Sequence, residues 1–154
     1  MHPKIRQEVL KIYEEINEAL TNPKVFCRFS QTLRTIEEQN ELYAQGRTKK
    51  GKIVTNARGG SSYHNYGLAI DIVMIVDGKE ASWDTTKDWD GDTIADWIEV
   101  VTIFKKYGWT WGGNFKSFKD YPHFEKNYNI PVSTLFDRYK KKQFLKGSNT
   151  YIEI

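Results

Sequence analysis

Two short runs carry residue types that could hold a catalytic metal. Ser62-Tyr63-His64-Asn65-Tyr66-Gly67-Leu68-Ala69-Ile70-Asp71 and Asp120-Tyr121-Pro122-His123-Phe124-Glu125 each set a histidine within a few residues of an aspartate in aromatic company. The chain has three histidines, and the third, His2, lies near the N-terminus. Together the runs supply two imidazoles and a carboxylate, the ligand set of a catalytic zinc that keeps its fourth position open for water. Such an ion polarises a substrate carbonyl and lowers the pKa of its water to about 7. Hydrolysis of a peptide also needs a base, and Asp120, three residues before His123 on a chain stiffened by Pro122, is the candidate. Glu125 is the alternative base, although its place two residues beyond His123 directs it toward that ring. Arg34 offers a fixed cation for a developing oxyanion.

Three elements must position these groups. Leu68 to Val76 is almost continuously apolar except for Asp71, the pattern of a strand buried on both faces, and Asp77-Gly78 turns it back as a hairpin. An ionised carboxylate there is costly unless paired or metal-bound, so Asp71 has a physical reason to be a ligand. Gly67 lets the backbone turn between the His64 loop and the strand. Pro122 limits its neighbours to extended geometry, which places His123 on a short strand beside the first. Between Gln45 and Tyr63 runs a long, glycine-containing loop whose only strand-like piece is Ile53-Val54; because it leads directly into His64, a functional loop is expected. No Gly-Lys-Ser or Gly-Lys-Thr ending follows, which argues against phosphate cradling.

Helical spacing of Ile5, Val9, Ile12, Tyr13, Ile16 and Leu20 predicts an amphipathic scaffold helix from about Lys4 to Leu20, stopped by Thr21-Asn22-Pro23. Val25 to Ser30 reads as a strand, and Thr35-Ile36-Glu37-Glu38 has capping-box spacing for a second helix that ends near Gly46. Arg34 then stands just before a helix N-terminus. Ile94, Trp97, Ile98, Val101 and Phe104 predict a third helix up to Gly108, and Trp109 to Gly113 a strand entering a tight turn. A last helix is expected from Pro131, with Tyr151 to Ile154 as a closing strand. Asp88-Trp89-Asp90-Gly91-Asp92, with Glu99 beyond, slightly resembles a calcium loop; Thr93 stands where that loop requires glycine, so a plain turn and helix cap is the expectation.

A length of 154 residues fits one domain with a single substantial core, and aromatics at 14% suit a cleft that grips something flat or extended. A net charge of +3 identifies no partner, and the absence of an aromatic-basic stripe argues against nucleic acid. Cys27, the sole cysteine, excludes an intrachain disulfide; in the run Val25-Phe26-Cys27-Arg28-Phe29 it reads as a buried strand thiol. No stretch approaches the roughly twenty apolar residues of a membrane span. The first residues lack the apolar core of a signal peptide. Synthesis in the cytoplasm is therefore expected, with access to an outer substrate after holin action or lysis, or by non-classical export.

At these residues the sequence resembles a family of zinc peptidases. The family includes the vancomycin-resistance D-Ala-D-Ala peptidases and, closer, the L-alanyl-D-glutamate endopeptidases of phage endolysins and bacterial wall hydrolases. Ser62-x-His64-x-x-Gly67-x-Ala69-x-Asp71 matches the family's first metal motif and Asp120-x-Pro122-His123-Phe124-Glu125 its second. The likeness runs on through Arg34-Thr35-x-x-x-Gln39, Gly46-Arg47-Thr48, Val54 to Gly60 and Trp111-Gly112-Gly113, covering roughly Val25 to Glu125. It implies that His64, Asp71 and His123 bind Zn2+, that Asp120 is the base and that Arg34 contacts the substrate. Ser62, Gln39, Arg58 and Trp111 become further substrate-binding positions. It also implies an α+β fold of the hedgehog/D,D-peptidase type, a small antiparallel sheet carrying the zinc site and packed with helices. One departure is Thr32-Leu33 ahead of Arg34, where many relatives carry Gly-Tyr.

The expectation is a monomeric zinc endopeptidase that cuts peptidoglycan stem peptides between L-Ala and D-Glu, as a phage lysin or a wall-remodelling enzyme. A D,D-carboxypeptidase of the same fold, or a non-catalytic wall-binding module with a structural zinc, are the alternatives. No wall-binding repeat is recognisable after Glu125, so targeting would rest on the catalytic domain.

Overall fold

Apolar side chains at helical spacing near the N-terminus start the first of two compact units in the computed structural model, which describes residues 1–154. That unit comprises Lys4–Gln31 and Ile70–Lys126. Helix α1 (Arg6–Ala19), entered through a 3-10 turn at Pro3–Ile5, buries Val9, Ile12 and Ile16, with Ile5 and Leu20 buried at its ends. Strand β1 (Val25–Gln31) pairs antiparallel with β2 (Ala69–Val76), Phe29 opposite Ile72, and a bulge after Phe29 brings Gln31 opposite Asp71. Ala69, Ile70, Ile72, Val73 and Met74 are all buried, so β2 is covered on both faces as its apolar run predicts. Asp77 and Gly78 take φ values of 51° and 71°, the left-handed pair that a tight hairpin turn needs, and lead into β3 (Glu80–Ser82).

Helix α3 (Asp96–Lys106) packs on α1 and buries Trp97, Val100, Val101 and Phe104. Two members of the expected apolar stripe lie outside it: the helix begins only at Asp96, so Ile94 precedes it at 49% exposure, and Ile98 sits on the stripe's edge at 38%. Gly108 closes the helix with φ 73°. Strands β4 (Thr110–Trp111) and β5 (His123–Glu125) complete a sheet of order β1-β2-β5-β4, with β3 beside β2. Phe104 ties α3 to this sheet, stacking on Phe124 at 4.2 Å between centroids and meeting Trp109 edge-on at 5.3 Å. Cys27 is wholly buried on β1, and burial pushes its thiol up to about 12, so it is no nucleophile at neutral pH.

The other unit comprises Met1–Pro3, Thr32–Ala69 and Asn127–Ile154. Helix α2 (Ile36–Ala44) opens with the expected capping box: Thr35 Oγ1 accepts from Glu38 N, and Glu38 Oε2 accepts from Thr35 N. Helix α4 (Val132–Lys140) follows Pro131 and buries Leu135. Ile53 and Val54 form no strand and are half exposed, and the expected closing strand reduces to one bridge between Phe144 and Ile152. His2 is a buried latch: its Nε2 meets the Ile152 carbonyl at 2.9 Å and its backbone N–H donates to Gly67 O at 2.9 Å. Gly67 has φ 66°, and a Cβ there would lie 2.7 Å from His2 N, so the turn before β2 needs glycine for conformation and for space. The molecule is thus α+β, four α-helices with an antiparallel five-stranded sheet.

Candidate metal centre

Ser62 begins a 3-10 turn at Tyr63–Tyr66, its Oγ accepting from His64 N at 3.3 Å. The turn aims a nearly buried His64 ring at the Thr32 carbonyl, 2.8 Å from Nδ1. A carbonyl only accepts, so in the neutral ring Nδ1 carries the proton and Nε2 is the acceptor nitrogen, the tautomer a metal ligand requires. Because this contact uses the backbone of Thr32, the departure from Gly-Tyr at Thr32-Leu33 leaves it intact.

Asn65, whose type and place in the motif signal no chemistry, holds the neighbourhood together. Its Nδ2 donates to the Arg34 and Thr35 carbonyls at 3.0 and 3.2 Å, and its Oδ1 accepts from Gly60 N at 2.9 Å and Ser62 N at 3.4 Å. The available signal was the Ser62-x-x-Asn65 spacing, which is a capping box here. Arg34 N donates to His64 O at 3.1 Å, and Arg34 Nη1 donates to Gln39 Oε1 at 2.9 Å. Gln39 is wholly buried, and its Nε2 is committed to Ala57 O at 2.8 Å, so its amide positions Arg34 and the loop. Arg58 and Arg47 flank the Tyr43 ring at 5.0 and 3.9 Å, and Arg47 pins the loop through the Tyr43 and Thr55 carbonyls. The hydrogen bond from Arg58 holds the Tyr43 hydroxyl below its usual range.

In the sheet-bearing unit, β2 carries Asp71 and β5 carries His123, and Ile72 N donates to Pro122 O at 3.0 Å. The His123 ring lies between two carboxylates, Asp71 Oδ1 3.2 Å from Nδ1 and Glu125 Oε2 3.1 Å from Nε2. Burial by itself lowers the affinity of this imidazole for a proton, but the hydrogen bonds it donates to Asp71 and Glu125 outweigh it and raise the group to about 9. The donor set fits a zinc ion. Two ligands bonded at about 2.0–2.1 Å to one tetrahedral ion stand about 3.3 Å apart, close to the Asp71–His123 separation, and Glu125 is left to fix the ring through the other nitrogen. Glu125 therefore stands as partner of the candidate ligand His123, with Asp120 left as the base candidate.

Asp120 and His123 are seated on a glycine. Asp120 N donates to Gly112 O at 3.1 Å, His123 N donates to Asp120 O at 3.2 Å, and a Cβ on Gly112 would come within 2.3 Å of Asp120 O and 3.1 Å of the His123 Cβ. Gly112→Ala is expected to lower stability by about 1–3 kcal/mol through overpacking and to cost up to about 100-fold in kcat by displacing both residues. Thermal unfolding and turnover measured on one preparation check this; unchanged turnover would show that the seat does not govern the site. Trp111, next to this glycine, donates from Nε1 to Tyr121 O at 2.7 Å, its ring 5.9 Å from that of Tyr121.

The chain belongs to the peptidase family that comprises D-alanyl-D-alanine carboxypeptidases and peptidoglycan L-alanyl-D-glutamate endopeptidases, and it is a hydrolytic enzyme. The family model described as D-alanyl-D-alanine carboxypeptidase matches residues 55–126. The peptidoglycan L-alanyl-D-glutamate endopeptidase CwlK of Bacillus subtilis (strain 168) is 46% identical over 125 residues, spanning 81% of this chain and 72% of that protein. The L-alanyl-D-glutamate peptidase of Listeria phage A118 is 31% identical over 120 residues, 78% of this chain and 34% of the phage protein. Among solved structures, the Serratia marcescens L-Ala D-Glu endopeptidase ChiX aligns with a TM-score of 0.48 at 20% identity over 82% of this chain and 84% of its own.

Proposed function

We propose that the protein is a zinc endopeptidase that hydrolyses the L-Ala–D-Glu bond of peptidoglycan stem peptides, with His64 Nε2, Asp71 and His123 Nδ1 as the metal ligands. The metal reading is carried by Asp71 Oδ1 and His123 Nδ1, 3.2 Å apart in the sheet-bearing unit with Glu125 on the other ring nitrogen, and His64 joins them through the motif it shares with Asp71. The relative CwlK, whose name carries this bond, supports the substrate. A zinc bound there supplies Lewis-acid polarisation of the scissile carbonyl and a water acidified to a pKa of about 7. Asp120 takes the proton of the attacking water and returns it to the departing amine of D-Glu. Arg34, held by Gln39, offers its guanidinium to the carbonyl oxygen as negative charge develops. Glu125 keeps His123 in the ligating tautomer, while Ser62 holds the His64 turn. Arg58 and Trp111 are proposed to contact the flanking peptide. We place the protein as a monomer that meets the wall after release from the cell or by non-classical export, without nucleic-acid partners.

Incubation with purified peptidoglycan is expected to create new amino termini that end-group labelling identifies as glutamate. Release of free D-Ala in their place would establish the D,D-carboxypeptidase reading, which the family description favours. The absence of any new terminus at full zinc occupancy would leave a wall-binding module.

A further inference from the structure

The loop before α3 has a site of its own. Asp88, Asp90, Asp92, Asp96 and Glu99 fall at the first, third, fifth, ninth and twelfth places of a twelve-residue segment, the places from which an EF-hand loop draws side-chain ligands, with Ile94 at the seventh, where the ligand is a backbone carbonyl. Thr93 occupies the sixth place, where such a loop ordinarily has glycine. Its φ is 81°, so the threonine adopts the left-handed turn for which that position ordinarily uses glycine. No helix cap explains the acids, because Ala95 is the N-cap of α3 and no side chain caps it.

The carboxylates converge. Asp88, Asp90 and Asp96 offer ligand atoms within 4.8 Å of one another, and so do Asp90, Asp92 and Glu99, with Asp90 common to both groups. Asp88 shapes the turn by accepting from Gly91 N at 2.6 Å and Thr93 N at 3.0 Å, while Thr21 N and Oγ1 fasten Asp90 at 3.0 Å. The decisive observation is at the closed end. Asp96 is wholly buried, and one of its oxygens, Oδ1, accepts from Trp89 N at 2.9 Å, but Oδ2 is buried with no hydrogen-bond partner; Glu99 Oε2 is in the same condition. A buried carboxylate oxygen without a donor is costly unless a cation completes it. The charges that act most on Glu99 repel it: after burial itself, the groups that push it up to about 7 are Asp92, Asp90, Asp96 and Asp88.

We infer that residues 88–99 bind a calcium ion through Asp88, Asp90, Asp92, the Ile94 carbonyl, Asp96 and Glu99, separately from the zinc centre. An all-oxygen set of this number and net charge suits calcium, and magnesium's preference for near-ideal octahedral geometry with retained water disfavours it. Binding joins the loop to the first turn of α3, whose Phe104 stacks on Phe124 of the strand that carries His123.

The test uses the full chain with its zinc content verified, in buffer freed of calcium beforehand. Calcium chloride alone is expected to bind one equivalent with a dissociation constant below about 10⁻³ M and to raise the unfolding temperature, with magnesium far weaker. Terbium should luminesce on excitation of Trp89 and Trp97 and be displaced by calcium. Glu99→Gln should weaken calcium binding by more than about tenfold while being no less stable than the parent without calcium, since it removes a partly buried negative charge among four others. Asp92→Asn, at an exposed position, gives the same loss if Glu99→Gln folds poorly. No heat and no shift in unfolding temperature up to about 10 mM calcium, or equal binding by both variants, overturns the inference. Zinc content and wall cleavage are read separately, so neither result decides the other site.

Discussion

Asp120→Ala is expected to retain a full equivalent of zinc and to lose about 10²–10⁴-fold in kcat, the range for removing a positioned general base. The side chain is outside the proposed ligand set, and the backbone contacts that seat it, Asp120 N to Gly112 O and His123 N to Asp120 O, survive the substitution. Elemental analysis alongside turnover on purified wall therefore separates proton transfer from metal binding. Asp120→Asn sharpens the experiment: it keeps size and hydrogen bonding but cannot accept the proton, so it should fall nearly as far as the alanine variant. Cleavage by either at close to the parental rate removes Asp120 from the role of base.

His123→Ala is expected to abolish both zinc and activity. It deletes one of the three proposed ligands and also leaves Asp71 and Glu125, each now hydrogen-bonded to the ring, as partly buried carboxylates without their common partner. Metal content after dialysis should fall to a small fraction of an equivalent, and the variant should unfold at lower temperature than the parent. Glu125→Gln gives a graded comparison. The ring keeps a hydrogen-bond acceptor but loses a charged one, and a weakening of zinc affinity by about 10–100-fold is the expectation for such a partner of a ligand. Full zinc occupancy in His123→Ala would exclude this histidine from the ligand set.

Much of this was readable before any coordinates. The capping box at Thr35, the Asp77-Gly78 turn, the buried strand around Asp71 and the short strand after Pro122 are local matters of backbone preference and apolar period, and each forms as expected. The errors lie where local signals are weak. Ile53-Val54 has strand propensity but no partner strand, and Ile94 shares the helical period of α3 but precedes the first helical turn. His2 reads as a terminal residue, yet it is one of the most buried polar residues, because its partners at Gly67 and Ile152 are 65 and 150 residues away along the chain.

By itself the sequence determined the kind of chemistry: two histidines and an aspartate in their motifs, an aspartate before the second histidine and an arginine before a helix. Chemical identity and short-range spacing reside in the residues themselves. Tertiary structure alone decided the tautomer of His64 through the Thr32 carbonyl, the role of Glu125 as partner of His123, the dependence of Asp120 on the bare backbone of Gly112, and the orphaned oxygens of Asp96 and Glu99. Each of these turns on which donor, acceptor or empty volume meets a side chain in space. Long-range packing fixes those meetings, and no local pattern encodes them.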